Sequence, residues 1–197
     1  MDLEDVIEET INKIKTIENI QINSMYLEEQ KEIMKGQHDF NSSLEKLYSK
    51  YKKIKISWEC KDNNDNGYFE LLSNKEVFSK QEELVELTKE FIGDGTIEDI
   101  DIIAEDIRNW LPIFRFPNDD MFCIDKRNDK IVFFEHEVFD TGINLHGLVI
   151  AKDIEDLMEK WSKVLFIDIY DWYDGVDENG IDLSKDVYKN IITINNI

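Results

Sequence analysis

The sequence predicts a single α+β domain with a central, largely antiparallel sheet flanked by helices. Three observations predict this class. Short apolar runs separated by polar turns indicate antiparallel strands, and stretches with an apolar residue every three or four positions indicate amphipathic helices. The length of 197 residues suits one domain better than two. The sequence leaves open whether some strands of the sheet pair in parallel.

The N-terminal part of the chain predicts a helical extension over residues 1–36, followed by the α+β domain over residues 37–197. Apolar side chains recur at three- and four-residue spacings from residue 3 to residue 17, which is typical of an amphipathic helix. A weaker helical pattern runs from Met25 to Met34. We therefore expect two helices here, placed as a flap or lever on the main domain.

Two capping-box patterns predict where helices of the main domain begin. Ser42 is followed three residues later by Glu45, and Ser79 is followed by Glu82. In such a pair each side chain satisfies a backbone N–H that the first helical turn leaves unpaired. The acidic, isoleucine-rich segment over residues 94–109 predicts a short helix or an edge element.

The strands are predicted from short apolar runs. Ile54–Trp58 and Tyr68–Leu72 predict a hairpin with its turn at Asn66-Gly67. Three short strands separated by turns over residues 110–135 predict an antiparallel meander. A strand then leads to Asp153, which is placed to cap the most regularly amphipathic helix of the chain. A last helix is expected near the C-terminal end, from residue 184 to residue 192.

The charge of the chain is strongly negative and unevenly placed. There are 44 acidic and 23 basic residues, a formal net charge of −21. Residues 1–56 hold 11 acidic and 9 basic residues, so residues 57–197 hold 33 acidic and 14 basic ones. This excess argues against binding nucleic acid or an anionic membrane by charge, and it favours a cationic partner. Solubility alone is the alternative explanation.

Several features predict a cytoplasmic protein without a cofactor. The acidic start MDLEDVIEET lacks the features of a secretory signal, and no apolar run reaches bilayer-spanning length. Cys60 and Cys123 lie in strand-like apolar segments, which fits buried free thiols in a reducing compartment. Neither is paired with His38, His136 or His146 at a ligand-like spacing, so we predict no structural zinc.

Five segments between Trp110 and Trp161 follow one another in a characteristic order. They are a strand LPIFRF, a polar turn NDD, a strand MFCID, a strand KIVFFEHE and a strand–helix segment VIAKDIEDLMEKW. This order resembles the SUKH superfamily, which groups yeast cell-wall-synthesis regulators with many bacterial immunity proteins. With the preceding helix and hairpin, the resemblance extends from Ser42 to Phe166. One departure is the turn at residues 118–120, which commonly contains glycine in that superfamily.

The resemblance implies a function in protein binding and brings no catalytic residues with it. Bacterial members look like antidotes that bind and neutralise a toxin domain, often a nuclease. We therefore predict a non-enzymatic immunity protein that neutralises a basic toxin domain through an acidic surface. A regulatory protein-binding scaffold like the yeast members is the alternative, followed by a carboxylate-based, metal-dependent hydrolase. The sequence leaves open whether the chain forms a homodimer.

The residues proposed to face the partner combine carboxylates with aromatic rings. Carboxylates that surround a desolvated aromatic side chain suit recognition of lysine or arginine. Trp172 could be such an anchor, or it could belong to a final sheet-edge strand whose rings pack on the core. The candidate partner-binding residues are Asp119, Asp120, Asp140, Asp171, Trp172, Tyr173 and Asp174.

Two other carboxylate groupings are weaker candidates. Residues 62–67 match the first half of a calcium-binding EF-hand loop, but Ser73 stands where a bidentate glutamate is needed. On an extended strand, Glu135 and Glu137 point the same way while His136 points the opposite way, so the three cannot converge on one ion. We therefore predict neither a metal site nor a catalytic residue.

Overall fold

The chain folds as a single α+β domain, as the sequence predicts. The computed structural model describes residues 2–31, 42–94, 100–141 and 144–195, apart from the side chains at 91, 93, 94, 140 and 141. Helices flank a seven-stranded sheet whose strands follow one another in space in the order of the sequence. Every neighbouring pair in this sheet is antiparallel. The predicted boundary between residues 36 and 37 lies outside the described residues.

The elements have the following bounds. The main sheet is formed by β1 (Ile20–Glu29), β2 (Tyr51–Cys60), β3 (Asn66–Leu71), β4 (Trp110–Arg115), β5 (Met121–Asp125), β6 (Ile131–Phe134) and β7 (Val149–Ala151). A small hairpin adds β8 (Val176–Asp177) and β9 (Gly180–Ile181). The helices are α1 (Leu3–Thr16), α2 (Ser42–Lys50), α3 (Asn74–Asp94), α4 (Ile100–Asn109), α5 (Val138–Thr141), α6 (Ile154–Lys163) and α7 (Lys189–Asn195), with 3₁₀ turns at Trp172–Gly175 and Asp186–Tyr188.

Of the two helices predicted in the N-terminal part of the chain, the first is confirmed and the second is wrong. Helix α1 forms as expected, and its apolar stripe is part of the main core. The expected helix from Met25 to Met34 is a strand where the chain is described, because β1 pairs with β2 and places Met25 opposite Ile56. The helical pattern was weak here, and pairing with a long neighbouring strand overrides local propensity.

The sheet separates two layers of helices. On β5, Phe122 and Ile124 face the larger core with α1, α2 and α6, whereas Met121 and Cys123 face a smaller core with α3, α4 and α5. This alternation is the two-residue period of a strand that is buried on both faces. Both cysteines are free and buried, as predicted.

The predicted hairpin forms, but its turn lies elsewhere. Asn66 and Gly67 begin β3, and Gly67 pairs with Trp58 of β2. The chain reverses over residues 61–65 instead, where Asn63 hydrogen-bonds Asp65 through both its side-chain atoms. Gly67 has a packing role, because a Cβ atom there would overlap the Trp58 indole.

Helix α3 begins earlier than predicted. Ser79 lies inside the helix, and the reciprocal cap is formed by Ser73 and Glu76. The Ser73 backbone N–H donates to the Glu76 carboxylate at 2.8 Å, and the Glu76 N–H donates to the Ser73 hydroxyl at 3.3 Å. The same serine–glutamate spacing was present at this earlier position in the sequence.

The C-terminal third confirms the α6 prediction and shifts the last helix. The Asp153 carboxylate accepts a 2.7 Å hydrogen bond from the Asp156 N–H and so caps α6. The helix expected from residue 184 to residue 192 begins as the 3₁₀ turn Asp186–Tyr188 and continues as α7. None of the helices in the described ranges is both long and apolar enough to cross a membrane.

Candidate functional site

The β4–β5 turn and the segment after α6 enclose a pocket of about 320 Å³. We call it the acidic pocket, because two of its wall residues, Asp120 and Asp168, are carboxylates. The pocket brings together parts of the chain that are far apart in sequence. Its lining residues are Asn66, Phe116, Pro117, Asn118, Asp120, Asp168, Ile169, Tyr170 and Trp172.

The turn between β4 and β5 is held by local hydrogen bonds. The Phe116 N–H donates to the Asp120 carbonyl at 2.8 Å, and the Asn118 amide donates to the Asp120 carboxylate at 2.6 Å. Asp119 has a φ of 67°, a left-handed conformation that aspartate tolerates better than most residues. The Asp119 side chain is exposed at the tip of this turn.

The other wall is positioned by an unusual turn after α6. Leu165 and Phe166 have φ values of 55° and 60°, and the Trp161 indole N–H donates to the Ile167 carbonyl at 2.8 Å. The chain then runs beside the start of β3, where the Asp168 N–H donates to the Asn66 carbonyl at 2.9 Å. These contacts bring Asp168 into the pocket next to the β4–β5 turn.

Trp172 is a core residue that anchors the rim of the pocket. Its side chain is buried, and its ring centroid lies 4.9 Å from that of Phe122 and 6.0 Å from that of Phe116. The ring thus packs on the core, as in the second interpretation, although the segment is a 3₁₀ turn rather than a strand. Tyr170 and Tyr173 flank the buried ring and are exposed.

Two of the predicted partner-binding residues, Asp120 and Trp172, line this pocket. Asp120 is in its wall, and Asp171 and Asp174 are exposed on the 3₁₀ turn beside it. The Asp171 carboxylate accepts a 3.0 Å hydrogen bond from the Tyr173 N–H, which orders the turn. Asp140 lies in α5, and its side chain is outside the described part.

Asp168 is the pocket residue that sequence reasoning missed. Burial, together with the nearby Asp120 carboxylate, raises the pKa of Asp168 to about 6. Asp120 also accepts from His136, through the backbone N–H at 2.9 Å and in a 2.7 Å contact with ring Nδ1. The signal for Asp168 was its place at the start of the DIYDWYD segment, but its nearness to Asp120 depends on the three-dimensional fold.

The pocket has the chemistry of a cation-binding site made from side chains. Two carboxylates face one space, and aromatic rings border it, so a lysine or arginine side chain would be attracted and enclosed. Within the described ranges, no three His, Cys, Asp or Glu side chains are grouped so that they could hold a metal ion. The Glu135 carboxylate does not line the acidic pocket and accepts a 2.9 Å hydrogen bond from the Leu145 backbone N–H instead.

A second polar cluster lies on the face of β2–β4 opposite the larger core. Glu70 is buried, and Arg115, Lys53 and Lys55 approach its carboxylate at 2.9, 3.2 and 3.4 Å. Burial opposes ionisation of Glu70, but the Tyr68 hydroxyl and these cations outweigh it and lower its pKa. The positive charges are thus directed at an internal partner.

Comparisons with protein-family models, with curated proteins and with solved structures found no match to this chain. The resemblance to the SUKH superfamily therefore depends only on the order of sequence segments between Ser42 and Phe166.

Proposed function

We propose that this chain is a non-enzymatic binding protein of the SUKH immunity type, which captures and neutralises a basic toxin domain in the cytoplasm. The observation that carries the proposal is the acidic pocket, which Asp120 and Asp168 line together with the exposed Tyr170. A nuclease domain is a fitting partner, because surfaces that bind nucleic acid are basic.

The pocket would bind a lysine or arginine side chain of the partner. Burial and then the charge of Asp120 raise the pKa of Asp168, and a cation between the two carboxylates would offset both effects and favour the ionised carboxyl. The exposed ring of Tyr170 would cover the aliphatic part of that side chain. Binding a cation in this way breaks no covalent bond, so the proposed function needs no catalytic residue.

The remaining charge would guide the partner to this surface. Residues 57–197 hold 33 acidic and 14 basic residues, and the pocket belongs to this part of the chain. A field of this sign accelerates association with a basic protein and weakens as salt screens it. Salt-sensitive, rapid association is therefore the expected behaviour of the complex.

Co-expression with the product of the neighbouring gene, scored as rescue from toxicity, tests the proposed role. The variant Asp171→Lys/Asp174→Lys reverses two exposed charges beside the pocket, and Glu82→Lys/Glu90→Lys makes the same change on α3. We expect the first variant to weaken binding by about tenfold or more at low salt and the second to have a much smaller effect. Equal affinities for the two variants would remove the acidic pocket from the proposal.

A further inference from the structure

Strand β1 is at one edge of the main sheet in the part of the chain that the structure describes. It pairs with β2 along one side, and no other described strand pairs with it. Three consecutive large side chains, Met25, Tyr26 and Leu27, are 37%, 49% and 38% exposed on this strand. An open edge with exposed apolar side chains is a template for pairing with another strand, and many proteins protect such edges with charges.

Charges are missing from most of this edge. From Ile20 to Leu27 the strand has no charged residue, in a chain with a net charge of −21. Glu28, which follows, is already bound by Lys52 at 2.7 Å. The edge also belongs to residues 1–56, whose 11 acidic and 9 basic residues nearly balance. The repulsion between two copies that meet at this edge therefore comes mainly from the rest of the chain and not from the edge itself.

The regular part of β1 is also self-complementary. Irregularities between Ile22 and Ser24 and between Glu28 and Glu29 confine the regular pairing to residues 24–28. An antiparallel pairing centred on Tyr26 would place Met25 of one copy opposite Leu27 of the other. Ser24 would then lie opposite Glu28, so apolar side chains meet apolar ones and a hydroxyl meets a carboxylate.

We propose that β1 is a dimerisation edge, where a second copy of this chain pairs antiparallel with Tyr26 opposite Tyr26 on a two-fold axis. The two sheets would then form one continuous sheet across the axis, as an isologous interface requires. A basic segment of another protein is the less suitable occupant, since the edge offers it no free negative charge between Ile20 and Glu28. This inference is independent of the proposed function.

A disulfide crosslink tests the register. Residues directly opposite in an antiparallel pair have Cβ atoms about 4.5–5.5 Å apart, which a disulfide can span after small adjustments. Tyr26→Cys should therefore form a covalent dimer under mild oxidation. The native thiols of Cys60 and Cys123 do not compete for this disulfide, because both are buried. Tyr173→Cys is the matched control, since Tyr173 is 54% exposed and Tyr26 is 49% exposed.

We expect the Tyr26→Cys dimer to form at least about tenfold faster than the Tyr173→Cys dimer. Equal rates, or faster crosslinking at position 173, would overturn the proposed register. So would a Tyr26→Cys protein that crosslinks only to another protein's strand when a partner is present, because the occupant would then not be a second copy.

Sedimentation of the unmodified chain tests association without a crosslink. Added salt should favour the dimer, because it screens the repulsion between two acidic chains. The same salt should weaken the binding of a basic partner, because it screens the attraction between opposite charges. Met25→Lys/Leu27→Lys should raise the dimer dissociation constant by about tenfold or more, and Ile92→Lys/Ile102→Lys, at exposed positions on α3 and α4, should not.

Thermal melting of each variant checks that it remains folded. A chain that stays monomeric at high salt, or two lysine variants with equal effects, would refute the dimer and leave the test of the acidic pocket untouched. Conversely, loss of partner binding in the pocket variants would not alter sedimentation.

Discussion

Replacing Asp168 by asparagine should stabilise the fold near neutral pH. The pKa of this carboxyl is raised from 3.8 to about 6 by burial and then by the charge of Asp120, so the folded state favours the protonated form. The unfolded chain loses this proton at lower pH than the folded chain. Stability is therefore lost as the pH rises through this window, in contrast to the usual behaviour of a salt-bridged aspartate.

The size of the effect follows from the shift. Each pKa unit corresponds to about 1.4 kcal/mol, so a shift of about two units sets an upper limit of about 3 kcal/mol. Asp168 retains some contact with solvent, and asparagine does not recover the whole difference. We expect Asp168→Asn to gain about 1–2 kcal/mol at pH 7.5 and close to nothing at pH 3.5.

Urea denaturation of the two proteins at several pH values measures this difference. Asp182→Asn serves as a control of opposite sign, because hydrogen bonds from Ser184 lower the pKa of Asp182. A difference between wild type and Asp168→Asn that does not change with pH would refute the reasoning. Carbon NMR titration adds a direct check, since Asp120→Asn should bring the pKa of Asp168 back toward its ordinary value.

Two further predictions concern buried side chains of the fold. Trp161 is fully buried and donates to the Ile167 carbonyl, so Trp161→Ala should cost about 3–5 kcal/mol of unfolding free energy in urea, and an unchanged midpoint would contradict its core position. Glu70→Gln should cost about 2 kcal/mol of unfolding free energy, because Arg115, Lys53 and Lys55 lose the buried negative charge that they contact. Glu28→Gln, which removes a carboxylate paired with Lys52 near the surface, should cost much less. Equal losses for the two variants in calorimetry would show that burial of Glu70 does not matter.

The parts of the fold that the sequence predicted are those specified by local patterns. The meander from β4 to β6 needs only short apolar runs and the turns between them, and Asp153 is followed at once by the helix it caps. The capping box at Ser73 and Glu76 is also local, but the same pattern at Ser79 and Glu82 predicts a later start for the helix.

The parts that were missed depend on contacts between distant segments. Strand β1 is specified by its pairing with β2, which outweighs the weak helical pattern after Met25. Asp168 reaches Asp120 only because the left-handed pair Leu165 and Phe166 turns the chain beside β3. Neither contact leaves a spacing that can be recognised along the sequence.

The packing of α1 determines the order in which parts of the larger core can form while the chain is being synthesised. The helix belongs to the same core as α6, although α1 is the first element of the chain and α6 follows the whole main sheet. The strands of the main sheet can pair one after another as they emerge, because each neighbour in space is also the next strand in sequence. The apolar stripe of α1 can pack against β1 and α2 early, but it meets α6 only after Ile154–Lys163 has been synthesised. Until then, the part of the apolar stripe of α1 that packs against α6 is exposed on the nascent chain. A chaperone that binds this stripe would protect the growing protein from aggregation.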